Sequence, residues 1–278
     1  LNGYILIQDS SKNIEIKNGN IVNEDSTESA IESVGTLTVT DVNITSARHA
    51  INVEGGNAEI NGGNFALIQK DVLTQNVIGA ENAVVIINDG VFTGPAGTTA
   101  DSGAAVAAKT GSKVTINGGT YKGCAEGFAK GGRSVIYASS GNVIDIYGGT
   151  FESLSADKSS YANTTEGVYA ALNVADNNGM INVYGGTFVG QNPAAPGTEP
   201  AAWNAAHPNG FVAEGYFATL VGDYYVVTNA PVVATADEFA AALKADAETI
   251  SVILADNLDV AISSLGQQTG GSGEYKLG

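Results

Sequence analysis

The chain has 278 residues, of which 44% are hydrophobic and 15% charged, so it can bury a sizeable core. Twelve lysine and arginine residues against 29 aspartate and glutamate residues give a net charge of −17 at pH 7, which disfavours a nucleic-acid ligand. The single cysteine excludes an intrachain disulfide and a zinc cluster. The sequence has no run of eighteen apolar residues, so it predicts no membrane span.

One decapeptide pattern recurs along the chain, and it is the strongest indication of the fold. Three similar copies are VTINGGTYKG, IDIYGGTFES and INVYGGTFVG. Aligned on this pattern, the copies open at Ile14, Leu37, Ala58, Val85, Val114, Ile144 and Ile181. A second apolar residue follows two positions later and a third five positions after that, aromatic from Phe65 onward. The alternation before the glycines predicts a short strand with one buried face.

The gap of five residues breaks strand alternation, so each copy needs an irregular corner. A glycine occupies this corner in six copies, where we expect positive φ or a close backbone approach: Gly19, Gly63, Gly90, Gly119, Gly149 and Gly186. The second copy has Val42 there, so its corner must be built differently. Beside the corner, Asn61, Asn88 and Asn117 share one position, which favours a ladder of bonded amides, with a metal column as the alternative.

A second apolar patch followed by turn residues precedes the copies, as at residues 50–53 before Gly55 and at residues 135–138 before Gly141. One repeat is therefore predicted to contain a strand, a turn, a second strand, the corner, a short strand and a variable loop. Stacked repeats place like residues on like, about 4.8 Å apart. The sequence predicts an all-β fold that is a parallel solenoid.

These copies, from residues 61–65 to residues 184–188, resemble the right-handed parallel β-helix, or pectate-lyase-like fold. More narrowly, the chain is similar to the INGGTF modules of surface and secreted proteins in gut Bacteroidetes. The resemblance implies a single-stranded β-helix of about seven to nine coils over residues 1–228. It also implies export to an extracellular or cell-surface location, with any signal outside this segment. Glycan-binding fibres and tailspikes of bacteriophages are similar in fold.

The pattern changes after the last copy. Residues 211–228 lack the decapeptide and predict a last coil plus a hairpin around Gly222. Thr235 and Glu238 are spaced as a capping box for a helix, and a strand is expected at residues 250–254. We assign residues 229–278 to a helix–strand cap or to the start of a following module, through which copies could self-associate.

Signals for catalysis are weak. The strings Gly-His-Gly and Arg-x-Lys of polygalacturonase-like β-helices are absent from the sequence. Lyases of this fold use a basic residue, for which Arg48 beside His49 and Arg133 near Lys130 are the candidates, each more simply read as a solvated surface residue. Asp145 and Glu152 are close in sequence, as a glycosidase pair could be, but separate strands are expected. A polysaccharide lyase or hydrolase is thus the minority interpretation.

Loops between copies are the better candidates for function, because the repeat length grows from 21 to 37 residues as insertions accumulate. Trp203, Tyr161 and Phe128 could stack on sugar rings, while Asn163 and Glu166 could bond hydroxyl groups. The sequence therefore predicts a non-catalytic extracellular module, a stalk or adhesive surface that binds polysaccharide or cell-surface glycan. A structural subunit of a surface fibre or bacteriophage spike is the alternative. No cofactor is expected, although calcium is possible in the acidic turns.

Overall fold

The computed structural model describes residues 1–68, 76–94, 103–123, 135–139, 141–152, 171–174, 178–195, 207, 209–230, 232–233, 235–243, 253–254, 266–268 and 275–277. Strands contain 58% of the described residues, so the described part of the fold is all-β, as predicted. No described helix has the length and apolar character needed to cross a membrane.

Two sheets contain most of the strands, and the chain visits them in alternation. The first sheet is parallel and contains β1 (Ile5–Ile7), β3 (Ile31–Ser33), β5 (Ile51–Glu54), β7 (Ile78–Glu81), β9 (Val106–Lys109), β12 (Ile136–Ala138) and β15 (Leu172–Val174). The second sheet contains β2 (Asn13–Asn23), β4 (Thr36–Ser46), β6 (Asn57–Leu67), β8 (Val84–Thr93), β10 (Lys113–Ile116), β11 (Thr120–Lys122), β13 (Val143–Ile146), β14 (Thr150–Glu152), β16 (Met180–Val183), β17 (Gly186–Val189), β18 (Phe217–Val221) and β19 (Tyr224–Thr228).

The strand register confirms the repeat alignment. All seven residues that open the decapeptide copies are hydrogen-bond register partners from one copy to the next, from Ile14 to Ile181. The second and third apolar positions keep the same register. From Leu37 onward these side chains are buried, so equivalent residues form continuous columns through one core.

The aromatic column is a stack of parallel rings. Phe65, Phe92, Tyr121, Phe151 and Phe188 follow one another with centroids 4.8 to 4.9 Å apart and ring planes within 12°. The hydroxyl of Tyr121 donates a hydrogen bond to the carbonyl oxygen of Gly118 at 2.7 Å, so the polar atom does not penalise burial. Burial raises the pKa of Tyr121 well above its usual value.

The corners are built in two ways. From the third copy onward the corner glycine has positive φ, as predicted, with values from 100° to 138°. In the first two copies the left-handed residue stands one position earlier, at Asn18 (φ 49°) and Asp41 (φ 52°). Asparagine and aspartate tolerate this conformation better than other non-glycine residues. This shift explains how Val42 can occupy a corner without strain.

Side chains also cap backbone groups between neighbouring repeats in the first sheet. His49 lies two residues before β5 and is 5% exposed, and its Nδ1 lies 3.0 Å from both the backbone nitrogen and the carbonyl oxygen of Asn76. In the tautomer with Nδ1 unprotonated, the ring accepts the N–H of Asn76. Asn76 lies at the equivalent position before β7, and its Oδ1 accepts the N–H of Ala104 at 2.9 Å. Each cap satisfies a buried donor in the following repeat.

The second sheet ends in the hairpin that the sequence predicted. β18 and β19 pair antiparallel across a turn containing Gly222, and β19 pairs antiparallel with β17. Beyond it lie β20 (Val232–Val233), helix α1 (Ala236–Leu243) and β21 (Ile253–Leu254), with β20 and β21 parallel; β22 (Gly266–Gln268) and β23 (Tyr275–Leu277) form a separate hairpin. The capping box is confirmed, because Thr235 and Glu238 exchange side-chain to backbone hydrogen bonds at 3.1 and 3.2 Å.

Candidate functional site

A groove of about 570 Å³ runs over the glycine corners of the last repeats. We call it the corner groove and define it by residues 147–150, residues 184–187, Tyr216 and residues 226–229. It lies in the range of volumes that hold small ligands. The first two segments have the same sequence, Tyr-Gly-Gly-Thr, one in each of two neighbouring repeats.

Glycine makes the floor of the groove, because no side chain fits between the stacked corners. A Cβ on Gly185 would stand 2.2 Å from the carbonyl oxygen of Tyr147, and one on Gly186 would stand 3.0 Å from that of Gly149. Gly149 and Gly186 also have φ of 109° and 110°, which disfavours any other residue. The backbone itself therefore faces the groove.

Tyrosines form one wall. The rings of Tyr147 and Tyr184 are stacked with centroids 4.8 Å apart and planes 10° apart. Tyr216 packs against Tyr184 at 5.4 Å with its plane turned by 83°. Tyr147 is 52% exposed, so this wall presents ring edges and hydroxyl groups to solvent.

Threonines and the C-terminal hairpin form the other wall. Thr150 of β14 and Thr187 of β17 are register partners, and Thr187 pairs in turn with Val226 of β19. The row of hydroxyl groups formed by Thr150 and Thr187 therefore ends where the hairpin begins. Thr228 and Asn229 add polar groups to the lining beyond it.

The residues that line the groove carry no formal charge. The nearest acid on the tyrosine side is Asp145 of β13, which accepts a hydrogen bond from Asn182 (2.8 Å) and is 3.7 Å from the Lys113 ammonium group. Desolvation raises the pKa of Tyr184, and Asp145, Tyr147 and Tyr216 add to the effect. The hydroxyl of Tyr184 therefore stays protonated at neutral pH and can donate as well as accept hydrogen bonds.

Hydroxyl groups, backbone amides and aromatic edges around an uncharged floor suit a neutral ligand rich in hydroxyl groups. The lining side chains include no carboxylate, histidine, lysine or cysteine, the usual groups of acid–base or nucleophilic catalysis. This arrangement is therefore suited to binding.

The loop residues proposed from the sequence cannot be compared with this groove. Trp203, Tyr161, Phe128, Asn163 and Glu166 all lie outside the described residues. The same holds for the second pair of basic candidates, Lys130 and Arg133.

The first pair of basic candidates is structural. Arg48 lies in the bend before β5 and donates a hydrogen bond to the carbonyl oxygen of Thr27. It is partly buried, and it precedes the strand instead of opening it. His49 is buried as a backbone cap, and desolvation lowers its pKa to about 4, aided by Lys109 and Arg48.

The proposed carboxylate pair is also divided between strands, as expected. Asp145 on β13 faces Lys113, whereas Glu152 on β14 has its own lysine, Lys122, at 4.0 Å. Across the described part of the chain, no group of three or more His, Cys, Asp or Glu side chains is placed to hold a metal ion.

The asparagine ladder is confirmed. The Nδ2 of Asn88 donates to Oδ1 of Asn61 at 2.6 Å, and that of Asn117 donates to Oδ1 of Asn88 at 2.7 Å. A second ladder, missed in the sequence analysis, joins Asn20, Asn43 and Asn64 at 2.9 and 2.7 Å. Its signal was available, because all three residues directly precede the third apolar position.

The corner groove was missed as well, although the sequence contains its signal. Tyr147 and Tyr184 stand at the same repeat position as the ladder residue Asn117. Exchange of an amide for an exposed aromatic residue at a fixed position of a repeat is the feature that marks these two copies.

Comparison of the chain with protein-family models, with curated proteins and with solved structures finds no match in any of the three. The fold and the lining of the corner groove define the class of this protein: an all-β repeat protein with an uncharged surface groove.

Proposed function

We propose that this chain is a non-catalytic, extracellular module with a right-handed parallel β-helix fold that binds glycan. The β-helix is supported by the alternation of the chain between a parallel sheet and a second sheet whose repeat strands, β2 to β17, also pair in parallel and in register. Right-handedness follows from the general rule for crossovers between parallel strands of one sheet. The resemblance to exported INGGTF modules and the acidic composition support an extracellular location.

The corner groove is the observation that carries glycan binding. It combines tyrosine edges and hydroxyls, threonine hydroxyls and exposed backbone in a space of about 570 Å³ without a charged side chain. Sugars need this combination, because each ring has polar hydroxyls at its rim and apolar C–H groups on its faces. The loop residues Trp203 and Tyr161 remain candidates for further contacts.

Affinity electrophoresis in native gels that contain neutral or acidic polysaccharides tests the proposal. We expect retardation by a neutral polysaccharide that is lost in Tyr184→Ala and Tyr216→Ala. Tyr4→Ala is the matched control, since Tyr4 is 45% exposed at the other end of the chain and should not alter retardation. Retardation that survives both groove substitutions would move the site elsewhere, and Trp203→Ala then tests the loop.

Two other outcomes would overturn the proposal. Cleared zones in the stained gel would show a polysaccharide lyase or hydrolase. Absence of retardation across a broad panel would favour a structural subunit of a surface fibre or bacteriophage spike. One observation favours that second candidate: Phe217, Leu220 and Tyr224 of the hairpin are 40% to 53% exposed, as in surfaces that associate. A trimer in sedimentation equilibrium would support it.

A further inference from the structure

We infer that the corner groove is a row of repeated subsites, one per repeat, for an extended neutral glycan that runs along the stacking direction. This inference rests on the proposed glycan binding and adds the ligand's shape, charge and direction. It comes from the way in which the groove repeats itself.

The repeat is visible in sequence and in register. Residues 147–150 and 184–187 are both Tyr-Gly-Gly-Thr, and Thr150 is the register partner of Thr187. Their tyrosine rings are 4.8 Å apart, which is one strand spacing. A ligand that moves one repeat along the groove therefore meets the same set of groups again.

A third subsite continues the row on the side away from the hairpin. Residues 117–120 are Asn-Gly-Gly-Thr, and Thr120 is the register partner of Thr150. Here Asn117, an exposed residue whose Nδ2 donates to Asn88, stands in place of the tyrosine, while the glycines and the threonine are kept. These residues lie next to the corner groove and extend its row beyond the lining defined above. The repeat that precedes Thr120 in the chain has Val91 at the threonine position, and Val226 is the register partner of Thr187 at the other end. The row of threonine hydroxyls therefore has three members, Thr120, Thr150 and Thr187.

The dimensions suit a straight chain of sugars. The repeat spacing is close to the advance of one pyranose in an extended β-1,4-linked polysaccharide. Alternate rings of such a chain are turned over, but each ring has hydroxyl groups on both edges, so each can place one hydroxyl near one threonine. A helical polysaccharide turns its hydroxyls away after one or two residues and would lose this match. Extended β-1,4-linked chains are therefore the expected class, and coiled α-1,4-linked chains are disfavoured.

Charge selects among extended glycans. The groove lining is uncharged, Asp145 lies beside the tyrosine wall, and the whole chain carries a net charge of −17. Uronic acid chains would be repelled, because no basic side chain lines the groove to offset this field. The ligand is a neutral glycan.

Isothermal titration with oligosaccharides of one to six residues tests the inference. The probes are β-1,4-linked glucan, mannan and xylan series, with α-1,4-glucan and oligogalacturonate series for comparison. We expect affinity for at least one β-1,4 series to rise with length up to three or four residues and then to level off. The α-1,4 and acidic series should bind at least tenfold more weakly.

Two threonine variants then locate the subsites. Thr120→Val removes the outer hydroxyl, so it should weaken trisaccharides and longer chains about fivefold and leave disaccharides unchanged. Thr150→Val removes the central hydroxyl and should weaken every chain of two or more residues. Thr45→Val, an exposed threonine of β4 away from the groove, is the matched control and should change nothing.

The outcomes separate the two proposals. No binding by any series would overturn glycan binding and the subsites together. Binding that does not depend on length, or an equal loss for all lengths in Thr120→Val, would overturn the subsites and leave glycan binding intact. Preference for the α-1,4 or acidic series would likewise overturn the inferred ligand class.

Discussion

Protonation of the buried histidine should make this protein lose stability in mild acid. His49 is neutral in the fold, because burial lowers its pKa to about 4 despite the opposing effect of the backbone contact with Asn76. In the unfolded chain the pKa returns to about 6.5. The unfolded state therefore binds more protons between these values, and stability falls as the pH drops through that window.

The size of the effect follows from the two pKa values. Relative to pH 7.5, linkage gives a loss of about 1 kcal/mol at pH 5.5 and about 2 kcal/mol at pH 5.0, reaching about 3 kcal/mol at pH 4. Above pH 7 the histidine contributes no pH dependence. Lys109 and Arg48 favour the neutral form in the same direction as burial.

Urea unfolding at pH 7.5, 5.5 and 5.0 measures this loss. His49→Asn is the matched variant, because Asn76 already makes the equivalent cap in the next repeat with an amide. Carboxylates titrate in both proteins, so the difference in unfolding free energy between wild type and variant isolates the histidine. That difference should shift in favour of the variant by about 2 kcal/mol between pH 7.5 and 5.0. A constant difference would refute the reasoning, and His207→Asn should behave as wild type.

Substitutions at three further positions test the core, the corner and the ladder by urea unfolding at pH 7.5. Phe92→Ala opens a cavity in the middle of the ring stack and should cost about 3–5 kcal/mol, whereas Phe92→Leu should cost distinctly less. Gly185→Ala should destabilise by more than about 2 kcal/mol, because its Cβ would overlap the carbonyl oxygen of Tyr147; a neutral result would contradict the close stacking. Asn88→Asp places a carboxylate beside Glu59, whose Oε1 now accepts from Asn88 at 3.0 Å, so a loss of about 1–2 kcal/mol should shrink below pH 4.

The apolar columns could be predicted because each is repeated. A single alternating stretch is ambiguous between many pairings, but copies with the same spacing fix one register for all. The register from Ile14 to Ile181 follows from that spacing alone. The amide ladder at Asn61 was predictable for the same reason, since only stacked neighbours let short amides reach each other.

Features that depend on one copy were harder to predict. The corner at Val42 needed a left-handed residue, and the sequence did not decide whether Asp41 or another neighbour would supply it. The burial of His49 could not be predicted from its own segment, because it depends on the neighbouring repeat. The sequence also directed attention to the insertions, whereas the groove lies on the repeat itself.

The position beside the corner can therefore serve structure or binding, according to the residue that occupies it. Asparagines there bond to each other, so their amides are used within the ladder, up to Asn117. Tyr147 and Tyr184 stack through their rings instead, and their hydroxyls stay available to a ligand. We expect the double substitution Tyr147→Asn and Tyr184→Asn to extend the ladder and to keep the unfolding free energy within about 1 kcal/mol of wild type. The same variant should lose retardation by neutral polysaccharide in the native gel. Retained binding would show that the tyrosines serve the fold alone, and a large loss of stability would show that their stacking, not the ladder position, holds these repeats together.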